Sequence, residues 1–285
     1  MSHRQAASLR VLRTVLAIVV FACGVASGAH AVEPRPAPSV MGWVPAYGID
    51  ASMAALNADP AIGKGLTRIG LQFWNPSPDG RGVVLAPVDR SGTPVSPDAI
   101  ARVRDWAHAR RIAVLLTVYN NSETTKVWDW PLARRAFADQ RGSFVNALVA
   151  EMEKYRLDGI DIDLEGDGFF DGDRAAFADF VGVLSKSVRV RGKLLTIDSF
   201  HSPCFNAPNM SWWTDWRGRI DAIHTMGYAD LYEASVETFT PPGKPVCENG
   251  AHLFKYSWQL AWGLKAGYRS DQIIMGLPTD VDHWG

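Results

Sequence analysis

Leu157-Asp158-Gly159-Ile160-Asp161-Ile162-Asp163-Leu164-Glu165 alternates acidic and aliphatic side chains through its second half. A strand sends successive side chains to opposite faces. Asp161, Asp163 and Glu165 therefore share one face, and Ile160, Ile162 and Leu164 the other. Gly166-Asp167-Gly168 follows as a loop signal, so Glu165 stands at the C-terminal end of the strand. In a barrel of parallel strands the aliphatic face packs on the surrounding helices and the acidic face points inward.

The rest of the chain supplies the partners such a strand needs. Apolar runs of strand length occupy 40–45, 67–74, 112–119, 194–200, 220–228 and 273–277, which with 159–165 makes seven candidates. Between them lie helical patterns. Residues 98–111 open after Ser96-Pro97 and carry Ile100, Val103, Trp106 and Ala107 on one stripe. Residues 132–155 space Phe137, Phe144, Leu148 and Met152 helically. Residues 173–191 do the same with Phe177, Phe180, Val181 and Leu184, and 256–266 form a shorter segment. Strand–helix alternation means a parallel sheet with helices outside it. No Gly-x-Gly-x-x-Gly follows the first strand, which speaks against a dinucleotide-binding sheet. The expected fold is an α/β, (β/α)8 TIM-type barrel over residues 40–285, with no eighth strand read after Leu277.

Three carboxylates on one inward face cannot all remain ionised at close range in a poorly solvated place. At least one is expected to hold a proton near neutral pH, which is what a general acid requires. The same oxygens would suit a calcium loop, but such loops interleave acids with Gly and polar residues rather than Ile and Leu. A transition-metal site would bring histidine into the segment, and none is there. The expectation is acid–base chemistry with no metal and no cofactor.

The N-terminus reads as a signal peptide over 1–31. Arg4, Arg10 and Arg13 precede the apolar run 15–25, and Ala29-His30-Ala31 offers a small-x-small cleavage site before Val32. Lipid attachment at Cys23 is the alternative; Phe21 suits that signal poorly. A Pro-rich linker, 32–39, leads into the domain. The expected location is outside the cell or in the periplasm, with no membrane association after the signal is removed. In that oxidising setting the remaining pair, Cys204 and Cys247, is expected to form a disulfide. A net charge of −1 gives no basic surface for nucleic acid.

The segment Asp158-Gly159-x-Asp161-x-Asp163-x-Glu165 resembles the Asp-Gly-x-Asp-x-Asp-x-Glu signature of family 18 glycoside hydrolases, the chitinases and endo-β-N-acetylglucosaminidases. Met41-Gly42-Trp43-Val44-Pro45 is similar to that family's first strand, Met226-Gly227-Tyr228 to its sixth and Gly276-Leu277-Pro278 to its seventh. The resemblance implies that Glu165 protonates the glycosidic oxygen and Asp163 orients the substrate's N-acetyl group. Asp161 then shares charge or a proton with Asp163, and Tyr228 hydrogen-bonds the acetamido group. It also implies the substrate-assisted exception to two-carboxylate glycoside hydrolysis, with retention of configuration. The partner would be an oligo- or polysaccharide containing N-acetylglucosamine, acted on by a monomer. Departures from the family pattern are Thr117-Val118-Tyr119-Asn120, where Ser-x-Gly-Gly is common, and Ala229 after Tyr228. The alternative readings are a sugar-binding barrel without catalysis, or an inactive, shortened one. Among the 11 Trp of the chain, Trp74 ends an inward strand, as Tyr119 does; both, with Met226, are the expected substrate contacts. His201 and His224 are possible neighbours of the site with no role assigned.

Overall fold

The computed structural model describes residues 39–58, 60–121, 128–201, 206–226 and 256–277. The signal peptide 1–31, Tyr228, Cys204 and Cys247 lie outside them.

Seven parallel strands form one curved sheet. They are β1 (Met41–Pro45), β2 (Arg68–Pro76), β4 (Ala113–Tyr119), β5 (Gly159–Asp163), β6 (Leu194–Ser199), β7 (Ala222–Thr225) and β8 (Ile273–Met275), in that spatial order. The short β3 (Val83–Leu85) folds back antiparallel on β2. All seven expected strands are present in the expected order. Among the described residues the sheet does not close, and β1 and β8 are its edges. The architecture is thus that of an open (β/α) barrel.

Helices cover the outer face. α1 (Ile49–Ala58) and α2 (Pro60–Gly65) link β1 to β2, where no helical pattern was read in the sequence. α3 (Pro97–His108) begins where Ser96 accepts the amide of Ala99 at 3.1 Å, with proline at the first helical position. Its Ile100, Val103 and Ala107 are buried. The pattern at 132–155 is not one helix. α4 (Trp130–Arg134) runs into a π-helical turn at Arg135–Asp139, and α5 (Arg141–Lys154) starts afresh after Gln140. The wide turn lets Phe137 pack edge-on to Phe177 at 5.3 Å between ring centroids. Phe177 lies on α6 (Arg174–Arg189) with Phe180, Val181, Leu184 and Val188, all buried. Burying each such side chain is worth about 1.5–3 kcal/mol. The short α7 (Trp213–Trp216) and α8 (Tyr256–Lys265) complete the coat.

The ladder sets which side chains meet. Gln72, Thr117, Asp161 and Thr196 stand in one row across β2, β4, β5 and β6, and the next inward rows pair Tyr119 with Asp163 and Asp198 with His224. The intervening row of Val118, Ile162, Ile197 and Ile223 faces the helices and is fully buried. The inner row of Gln72, Thr117, Asp161 and Thr196 is polar because the register brings one polar residue from each of four strands side by side, one row beyond Gly70, Leu115, Gly159 and Leu194.

Candidate active site

Asp161 lies at the centre of this interior. Its Oδ2 accepts the indole N–H of Trp43 from β1 and the hydroxyl of Thr117 from β4, each at 3.0 Å. Its Oδ1 accepts the hydroxyl of Thr196 and lies 3.3 Å from Nδ1 of His224 on β7. Trp43 reaches Asp161 across the top of Gly70. A Cβ there would come within 2.6 Å of Thr117 Oγ1 and 2.8 Å of the Trp43 ring, so the absent side chain is what lets both donors converge.

Asp163 accepts the Gln72 side-chain amide at 2.7 Å and hydrogen-bonds the Glu165 carboxyl. Glu165 lies two residues past the end of β5, where ladder pairing with β4 has stopped. Its backbone is instead held by one side chain: Asn120 Nδ2 donates to the Glu165 carbonyl and Asn120 Oδ1 accepts the Glu165 amide, both at 2.7 Å. Asn120 thereby imitates a further residue pair of the ladder. Gly166 then exchanges two backbone hydrogen bonds with Ala207, at 2.8 and 2.9 Å.

Electrostatics separate the three acids. Burial pushes Glu165 well above the usual carboxylate range, and the charge of Asp163, the hydrogen bond to it and the charge of Asp198 act in the same sense. Burial lifts Asp163 to about 7, against the hydrogen bonds from Glu165 and Gln72 and with the charge of Asp161. Burial would raise Asp161 too, but the hydrogen bond and charge of His224, with Thr196 and Trp43, hold it below its ordinary value. Glu165 is thus pushed toward its protonated form and Asp161 toward its ionised form, a separation that neighbouring buried carboxylates impose on one another.

His224 and Asp198 complete the polar cluster. Their Nδ1 and Oδ1 are 3.0 Å apart, and both residues are buried. Neither Asp198 nor the donors Trp43, Gln72, Thr196 and Asn120 had been assigned to the site from sequence. The available signal was Thr196-x-Asp198, two polar residues at strand spacing inside an apolar run.

The other expected contacts divide. Tyr119 stands beside Asp163 on the interior face and is 4% exposed. Met226 follows β7, partly buried, its amide donating to the Ser199 carbonyl at 2.9 Å. Trp74 does not line the interior. A register shift between Gln72 and Trp74 sets Trp74 beside Val118 in the outward row. Its indole N–H donates to Glu151 of α5 at 3.1 Å, its ring packs 5.8 Å from that of Tyr155, and it is fully buried. One inserted residue reverses the face of everything after it, and that bulge overturns the expectation for Trp74. Trp212, Trp213 and Trp216 are likewise core residues with no exposed surface.

Similar proteins share this frame. A chitinase from Chromobacterium violaceum superposes with a TM-score of 0.61 at 20% identity, over 85% of this chain and 68% of that one. A class V chitinase from Pseudomonas fluorescens Pf-5 gives 0.61 at 19%, over 85% and 69%. The second catalytic domain of the Ostrinia furnacalis Group II chitinase, solved with a penta-N-acetylchitooctaose, gives 0.57 at 16%, over 84% and 63%. At these identities the likeness is one of fold, and the chain corresponds to about two thirds of each. No curated protein matches it in sequence. The family model for glycosyl hydrolases family 18 matches residues 87–285, which include the whole of the carboxylate strand. The chain belongs to glycosyl hydrolase family 18.

Proposed function

We propose that this protein is a secreted, retaining glycosidase that cleaves β-1,4 bonds of N-acetylglucosamine-containing glycans by substrate-assisted catalysis. The observation that carries the reading is the buried, hydrogen-bonded Asp163–Glu165 pair at the C-terminal end of an inward strand. Barrel active sites are built at that end. Glu165, held protonated by burial and by its neighbour's charge, gives its proton to the glycosidic oxygen as the bond to the anomeric carbon breaks. The substrate's own acetamido oxygen attacks that carbon and forms a cyclic oxazolinium ion. Asp163, having the lower affinity for a proton, faces the acetamido N–H and balances the positive charge as it forms. Water then adds to the anomeric carbon from the side the leaving group left, the bond from that carbon to the acetamido oxygen breaks and restores the acetamido group, and Glu165 takes up the water's proton. Tyr228 is assigned to hydrogen-bond the acetamido group, and Tyr119 and Met226 to the sugar-facing wall. Residues 1–31 direct export, and Cys204 pairs with Cys247.

The test is digestion of N-acetylglucosamine oligomers by the mature chain, read by mass spectrometry beside Glu165→Gln. Shortened oligomers from the wild type and none from the variant support the reading. Absence of products from both overturns it for these substrates.

A further inference from the structure

The family signature accounts for Asp161, Asp163 and Glu165 but not for the buried pair on the two following strands. His224 Nδ1 lies 3.0 Å from Asp198 and 3.3 Å from Asp161. A single ring nitrogen thus faces two carboxylates inside the sheet. His224 is 2% exposed, Asp198 4% and Asp161 not at all. Nitrogen–oxygen separations of 3.0 and 3.3 Å are hydrogen-bond distances. Among the described residues Nε2 has no hydrogen-bond partner, so the bonding of the ring is one-sided, toward the acids. Trp43 packs edge-on against the ring at 5.1 Å between centroids.

We infer that His224 is a fixed cation beneath the acidic strand, and that it is a positioning residue for the general acid. By neutralising Asp161 it leaves one proton and one negative charge to be shared by Asp163 and Glu165. This role rests on the reading of Glu165 as acid.

The surroundings bear this out group by group. β5 presents Asp161 and Asp163 to the imidazole, and β6 presents Asp198. β2 contributes Arg68, whose guanidinium interacts with the charges of Asp221 and Asp161. β1 and β4 offer Asp161 the donors Trp43 and Thr117, and β4 places Tyr119 beside Asp163. β8, Ile273–Met275, brings no titratable group. Burial works against a charged His224, yet the hydrogen bonds and charges of Asp161 and Asp198 outweigh it and lift the imidazole to about 9. For His201, also buried, burial outweighs the hydrogen bond with the Met226 backbone and drives the imidazole down to about 4. Asp198 is pushed upward by burial and by the charge of Asp161, against the hydrogen bond and charge of His224. The field of His224 lowers Asp163, whereas that of Asp161 raises it; removing the cation would leave the second effect unopposed.

Two measurements test the inference. The first is a titration of the 15N-histidine-labelled full mature chain by NMR, with His224 assigned through its contact to the Trp43 indole. An imidazolium that persists through neutral pH and titrates near 9 is expected. A neutral ring at pH 7 overturns the inference, whether or not the chain hydrolyses anything. The second is the pH–rate profile of His224→Asn on N-acetylglucosamine oligomers. Asparagine keeps an N–H where Nδ1 stood and removes only the charge. Both limbs of the profile are expected to move to higher pH by on the order of one unit, the effect of one buried charge through an effective dielectric near ~20. A lower rate with an unmoved profile marks a purely structural histidine and also overturns the inference. If the wild type cleaves none of these oligomers, the glycosidase reading falls while the NMR titration still decides the charge of His224.

Discussion

Asn120→Ala removes the side chain that continues the ladder where the ladder ends. Two hydrogen bonds of 2.7 Å disappear together, one to the amide of Glu165 and one to its carbonyl, at a residue 1% exposed. A buried polar group left without a partner costs about 1–3 kcal/mol. Two of them give about 2–6, and partial relaxation toward water favours the lower half, about 2–4 kcal/mol. Urea unfolding followed by tryptophan fluorescence is a suitable assay, because the change should appear as a lower midpoint at an unchanged m-value. Activity should fall further than stability explains, through kcat rather than KM, since the loosened backbone carries the acid itself. Asn120→Asp keeps the acceptor for the Glu165 amide but sets an anionic oxygen against the Glu165 carbonyl; it should be at least as damaging. A loss below ~0.5 kcal/mol with kcat intact would show that Glu165 is held by something other than Asn120.

Gly70→Ala should cost about 1–3 kcal/mol by overpacking, because its Cβ would press on Thr117, Trp43 and Met41 at 2.6–2.8 Å; a thermal melt at wild-type temperature would contradict the crowding. Trp74→Phe should lower stability by about 1 kcal/mol through the lost bond to Glu151 and leave oligosaccharide affinity unchanged; weaker sugar binding would return Trp74 to the cleft. Thermal stability should decline as pH rises from about 4 to 9. Asp163, lifted to about 7, contributes fully below its unfolded value near ~4 and loses that contribution by about 7. His224, lifted to about 9, contributes below ~6.5 and loses it as pH approaches 9. Asp161 acts oppositely, its contribution present above ~4 and lost in stronger acid. Asp163→Asn should flatten the part of the curve between about 4 and 7, and a melting temperature that climbs across that window would refute the assignment.

The inward carboxylate face was legible because strand periodicity is rigid: once 159–165 is a strand, no freedom remains about which side Asp161 and Asp163 take. The order of the seven strands was legible for the same reason, each being a compact apolar run. Trp74 was misread because the argument from periodicity carries only as far as the next bulge, and nothing in Gln72-Phe73-Trp74 announces one. The helix at 132–155 was read as continuous because its apolar spacing survives the π turn that breaks it. Asn120 was visible only as a departure from a family pattern, because its function depends on where β4 and β5 stop being paired. Asp198 and His224 lie on different strands, 26 residues apart, and only the lateral register brings them face to face.

The hydrogen bond from Trp43 to Asp161 joins the first strand of the sheet to its middle, and the ring contact from Trp43 to His224 carries the link onward to β7, the sixth of its seven parallel strands. Asp161 is therefore a keystone of curvature as well as a member of the acidic row. The two duties separate along the strand: Asp161 holds the arch, while Glu165 sits beyond its end, its side chain turned to Asp163. A descendant under selection only to grip sugar could discard Glu165 by a single substitution and keep its shape, but it could not discard Asp161. Loss of chemistry in this scaffold should begin at the rim and leave the centre acidic.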